Sequence, residues 1–166
     1  QSFISESKLW GAYIIPQSFM IYSITSILTL ISSGFLVDKF TSRRLIPYMN
    51  IPLLLGLLII YYFDVRFSAY LFFGLMGISN GLANVLGSST WAEIYGVRYL
   101  GGIKALTTAL MVFSTAFGTA LFGLLIDNGF SIETISLISI LYISFSLLAL
   151  LVIKSAVKPI ILSKKT

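Results

Sequence analysis

Asp38, Lys39, Arg43 and Arg44 form the densest charged cluster in the chain, inside the run Gly34-Phe35-Leu36-Val37-Asp38-Lys39-Phe40-Thr41-Ser42-Arg43-Arg44. A smaller charged group follows at Glu93 and Arg98, separated by Gly96. Carboxylates and cations at such spacing can make and break ion pairs. They have little else to work with. The chain has no Cys and no His, which excludes disulfides, thiolate nucleophiles, imidazole acid–base chemistry and ordinary zinc sites. No Gly-x-x-x-x-Gly-Lys phosphate loop occurs. We therefore assign no catalytic residue, no cofactor and no metal. The remaining polar chemistry is hydrogen bonding by uncharged side chains: Tyr22, Ser26, Thr29, Asn80, Asn84, Ser88, Thr108 and Thr115.

Only one kind of element is available to position these groups. Residues 14–36 and 45–63 carry no charge, on either side of the cluster. Apolar residues make up 57% of the chain and charged residues 10%. A water-soluble domain carries about 25% charged residues, so lipid is the expected solvent. Strand-type alternation is absent and the apolar runs are long, which leaves helices to span. The expected fold is an all-α membrane protein with five transmembrane helices, over about 14–36, 45–63, 67–91, 103–126 and 134–153. Residues 1–13 read as an outer loop or the end of a preceding helix, and 154–166 as a basic cytoplasmic tail. Gln1 to Lys8 do not form a signal peptide. With no initiator Met, the chain reads as a fragment of a longer protein.

Each span has its own pattern. In the first, Ser18, Tyr22, Ser26, Thr29 and Ser33 make a polar stripe. The second has Pro47 and Pro52 in its first turns and is apolar all round, as a lipid-facing helix would be. In the third, Gly74, Gly77, Gly81, Asn84 and Ser88 recur every three or four residues. Small residues allow close helix packing, and Asn requires a partner on another helix or water in a cavity. Lone Ser and Thr hydroxyls more often bond their own backbone one turn back. Gly96 and the pair Gly101-Gly102 are expected to break the chain before the fourth span. Asp127-Asn128-Gly129 is a turn signal before the fifth.

The net charge of +5 does not point to nucleic acid. Lys39, Arg43, Arg44, Arg98, Lys104, Lys154, Lys158, Lys164 and Lys165 fall on one side of the five-span arrangement, and only Lys8 and Arg66 on the other. That bias sets orientation in multi-pass proteins. It places the C-terminus in the cytoplasm and the N-terminus outside, in a plasma (bacterial inner) membrane. A cysteine at Ser42 would be a reporter of this sidedness.

The run from Gly34 to Arg44, in the pattern Gly-x-Leu-x-Asp-Lys-x-x-x-Arg-Arg, resembles the loop motif of the major facilitator superfamily. The order downstream is similar to that family's C-terminal half: a lipid-facing helix, a Gly-rich helix, a Glu-x-x-Gly loop at Glu93 and Gly96, a small-residue helix, a last apolar helix and a basic tail. The resemblance covers nearly the whole chain and implies helices eight to twelve of a twelve-helix fold. It implies secondary-active or facilitative transport of a small solute by alternating access. It also implies an N-terminal six-helix half as partner, and a gating network of Gly34, Asp38, Lys39, Arg43, Arg44, Glu93 and Arg98. The uncharged polar residues named above become candidates for the substrate cavity. The Glu-x-x-Gly loop is most similar to the branch carrying monocarboxylates and related small organic anions. Two departures stand out. Thr41 occupies the turn where the motif usually has Gly, which implies strain or another way of closing the loop. Thr119 follows Gly118 where related chains often have Pro, which implies a straighter fourth span.

A rival reading is a complete five-span scaffold or assembly subunit that transports nothing; the partial helix at the start counts against it. A membrane-embedded enzyme would need acid–base or metal ligands within the spans, and the spans have no charged residue near their middles.

Overall fold

The computed structural model describes residues 13–163, with side chains through Val152. The elements are α1 (Ile14–Phe40), α2 (Ser42–Leu45), a 3-10 turn (Ile46–Tyr48), α3 (Ile51–Tyr62), α4 (Arg66–Tyr95), a second 3-10 turn (Val97–Tyr99), α5 (Leu100–Asp127) and α6 (Ile132–Ser163). Among the described residues, five helical segments are long and apolar enough to cross a membrane, with α2, the first turn and α3 together making the second. This is the character of a multi-pass membrane protein.

The burial pattern fits that solvent. On α1 the buried residues are Ile14, Ser18, Ser26 and Ser33, while Met20, Ile24, Ile27, Leu28 and Ile31 are exposed. Ser18 is 0% exposed and Ile31 61%. Water would impose the reverse order. In lipid, burying Leu or Ile gains little, and helices associate through close packing and hydrogen bonds instead. Ser18 Oγ donates to the Ile14 carbonyl at 2.7 Å, and Ser33 Oγ to Leu30 at 3.0 Å. Each hydroxyl is thereby satisfied within its own helix.

α4 is the hub, packing against both α1 and α3. Its glycines allow α1 to approach. A Cβ added at Gly77 would collide with Thr25 Oγ1 and lie 2.5 Å from the Tyr22 carbonyl oxygen. At Gly81 it would lie 2.7 Å from Thr29 Cβ and 2.9 Å from the Ser26 carbonyl oxygen. At one end, Ile14, Ile60 and Ala69 pack together and Tyr70 Oη donates to Gln17 Oε1 at 2.7 Å. At the other, Ser42 meets Glu93. Thus α1 and α4 run parallel, with α3 antiparallel between their ends.

Several boundaries differ from the sequence expectation. α1 continues through Asp38 to Phe40, because Lys39 suits the negative end of a helix and the reversal waits for Thr41. The second span, expected as one helix over 45–63, is broken. Pro47 lies in the 3-10 turn and Pro52 in the first turn of α3, and neither has an N–H to continue a helical ladder. Ser79 closes the gap: its Oγ donates to the Met49 carbonyl at 2.6 Å, at a site where Ser79 is buried. An unpaired carbonyl in hydrocarbon is costly. Ser79→Ala is expected to lower stability in micelles by about 1 kcal/mol, while Ser79→Thr keeps most of it; equal melting of Ser79→Ala and the parent chain would contradict this role.

Gly101 and Gly102 do not break the chain; both are helical, in the first turn of α5. The break is made by Gly96, at φ 75°, and the 3-10 turn after it. The apolar run beyond must close its own backbone bonds, and that outweighs a cost of about 1 kcal/mol per glycine. α5 then runs unbroken past Gly118 and Thr119. α6 carries helical backbone through Ser163, ten residues beyond the expected end at 153. Residues 1–12 of the expected outer segment 1–13, and the side chains of the basic tail, lie outside the described residues.

Candidate functional site

The two charged groups of the sequence meet at one end of the helices. Chain reversal after α1 is made by Thr41, whose φ of 69° and ψ of 132° suit glycine and not a β-branched residue. Its N–H is held by the Val37 carbonyl at 3.0 Å. Strain of this kind costs about 1–3 kcal/mol. Thr41→Gly is accordingly expected to raise stability by about 1 kcal/mol after the added chain entropy of glycine. A lower melting temperature for this variant would contradict the strain.

Beyond Thr41 a clasp ties α2 to the end of α4. The backbone N–H of Ser42 donates to Glu93 Oε1 at 2.9 Å, and Arg43 Nη2 donates to the Glu93 carbonyl oxygen at 2.9 Å. Thr90 Oγ1 donates to Ser42 Oγ at 2.8 Å, and both residues are buried. Arg43 Nε lies 3.8 Å from Glu93 Oε2, with the Arg43 side chain 46% exposed. The hydrogen bonds, not this half-screened ion pair, carry most of the stabilisation.

Other members of the charged set stand around the clasp. Asp38 is exposed in the last turn of α1 and has no hydrogen-bond or ion-pair partner among the described residues. A carboxylate there opposes the helix dipole. Lys39 Nζ sits 5.4 Å from the Phe40 ring, and Arg98 lies 5.8 Å from the Tyr99 ring. Arg44 is exposed on α2. The Cβ position of Gly34 has no neighbour within 4 Å.

A second polar group sits midway along α4. Asn80 Nδ2 donates to Ser26 Oγ at 3.2 Å, and Asn84 Nδ2 donates to the Asn80 carbonyl at 2.9 Å and to Asn80 Oδ1 at 3.3 Å. Ser88 Oγ donates to the Asn84 carbonyl at 3.0 Å. Ser26 is buried, Thr29 faces Gly81, and the Tyr22 backbone faces Gly77, so all three belong to the α1–α4 contact. Thr108 and Thr115 are not brought to this group. They are exposed on α5, with Thr115 Oγ1 bonded to the Met111 carbonyl at 2.8 Å.

Ser42 and Thr90 were not among the expected site residues. The signal was Thr90 at one helical turn before Glu93. Ser42 is 0% exposed, so a cysteine there cannot report sidedness; Thr41, exposed on the same turn, can. No family model, curated protein or solved structure matches the chain.

Proposed function

We propose that this chain forms helices eight to twelve of a major facilitator secondary transporter, working with an N-terminal six-helix half in a plasma (inner) membrane. The unit would bind a small organic anion, such as a monocarboxylate, at the bilayer midplane and expose it to each side in turn. The N-terminus of the chain would face outward and the C-terminus the cytoplasm. The observation that carries this reading is the clasp, in which Glu93 joins the loop after α1 to the loop after α4 at the basic end. Such a clasp would make the two loops of this half move as one when the halves rock. The unpaired Asp38 supports it as well: its carboxylate becomes favourable once a helix N-terminus of the other half stands opposite.

Asp38→Asn tests the reading. In the whole transporter, at matched membrane expression, it is expected to slow uptake of labelled carboxylates about tenfold while insertion is unchanged. Uptake equal to the parent's would remove Asp38 from gating. Absence of uptake by the parent across carboxylates, sugars and amino acids would remove the transporter reading itself.

A further inference from the structure

The basic end carries more positive charge than its own acids neutralise. Glu93 is committed to Ser42 and Arg43. Lys39, Arg98 and Lys104 have no carboxylate partner among the described residues. Two of these cations lie beside an aromatic ring, Lys39 with Phe40 and Arg98 with Tyr99. Both rings are exposed, Phe40 at 46% and Tyr99 at 63%. The clasp brings their segments to the same end of the molecule, Lys39 three residues before Ser42 and Arg98 five after Glu93. Toward the bilayer, Phe35 and Leu36 of α1 are exposed as well.

We propose that this end of the molecule docks an anionic phospholipid, its headgroup phosphate held by Lys39 and Arg98 with Lys104 nearby. The rings of Phe40 and Tyr99 would sit at headgroup level, and the acyl chains would lie on Phe35 and Leu36. Cations and aromatics at the ends of membrane helices occupy that depth, and each cation favours an anionic surface about fivefold. Asp38, adjoining Lys39, repels the phosphate of a free anion and of a lipid alike, which lowers the affinity for both. A lipid is retained by its chains, which singles out the lipid over inorganic phosphate.

The test uses the full chain in neutral detergent, with bound lipid counted by native mass spectrometry. Phosphatidylglycerol is expected to be retained over phosphatidylcholine, with retention falling as salt rises. Lys39→Gln with Arg98→Gln is expected to weaken phosphatidylglycerol retention about 30-fold. Lys39→Arg with Arg98→Lys keeps it, and Arg66→Gln at the opposite end leaves it unchanged. Equal retention of the two lipids, indifference to salt, or displacement of the lipid by millimolar inorganic phosphate would overturn the proposal. The first two comparisons use the unaltered chain, so they decide the matter even if the double variant fails to fold.

Discussion

Gly77→Ala is expected to destabilise the chain by about 3 kcal/mol, the largest effect of any single methyl group added to the bundle. The new Cβ would meet the Thr25 hydroxyl and also the Tyr22 carbonyl oxygen. A side chain can rotate away, but a backbone oxygen moves only with its helix. α1 must therefore separate from α4, and the bond from Asn80 to Ser26 one turn along is lost with it. Gly34→Ala adds the same methyl group where no atom of another helix lies within 4 Å, and is expected to leave stability unchanged or raise it by up to about 1 kcal/mol through helix propensity. Thermal unfolding of both variants in micelles separates the two cases. Adding Thr25→Ala to Gly77→Ala should recover only part of the loss, because the carbonyl contact remains. Indistinguishable melting of the Gly77 and Gly34 variants would show that α1 and α4 do not approach at this point.

The second large effect is expected at Glu93. Glu93→Ala removes the acceptor for the Ser42 N–H, in a residue with no access to solvent. A buried donor left unpaired, together with a lost charge-assisted bond, costs about 2.5 kcal/mol. Glu93→Gln keeps an acceptor oxygen and should lose less than half of that. Arg43→Gln, which removes a half-exposed ion pair and a bond to a backbone oxygen, should cost about 1 kcal/mol. The ranking Ala, then Gln, then the arginine variant is the informative result. A loss at Arg43 exceeding that at Glu93→Ala would mean that the ion pair, and not the capped backbone, holds the clasp.

These two sites show what could be read from the residues and what could not. The apolar runs announced the five spans, because helices in lipid must close their own backbone bonds. The three- and four-residue spacing of Gly74, Gly77 and Gly81 announced a close helix contact, and α1 fills it. The gating network implied by the family resemblance included both Arg43 and Glu93, without singling them out as partners. What sequence spacing does not encode is which neighbour a stripe will face. Ser26 and Thr29 could have lined a cavity or packed against glycines, and only the position of α4 decides between these. Ser42 looked like a surface residue of a basic turn, yet Thr90 and Glu93 enclose it. The break at Met49 escaped for a similar reason. Prolines near the start of a helix are tolerated locally, and the hydroxyl that stabilises the gap comes from Ser79, on the next span.

One helix stands apart. α5 has no buried residue among those described, so its position owes little to the other described helices. During synthesis it can enter the bilayer as an autonomous rod, stable through its own ladder of peptide bonds, while α1, α3 and α4 complete a second stage of lateral assembly. The final placement of α5 is then set by whatever comes to lie beside it, which makes it the last piece of this molecule to acquire a fixed address.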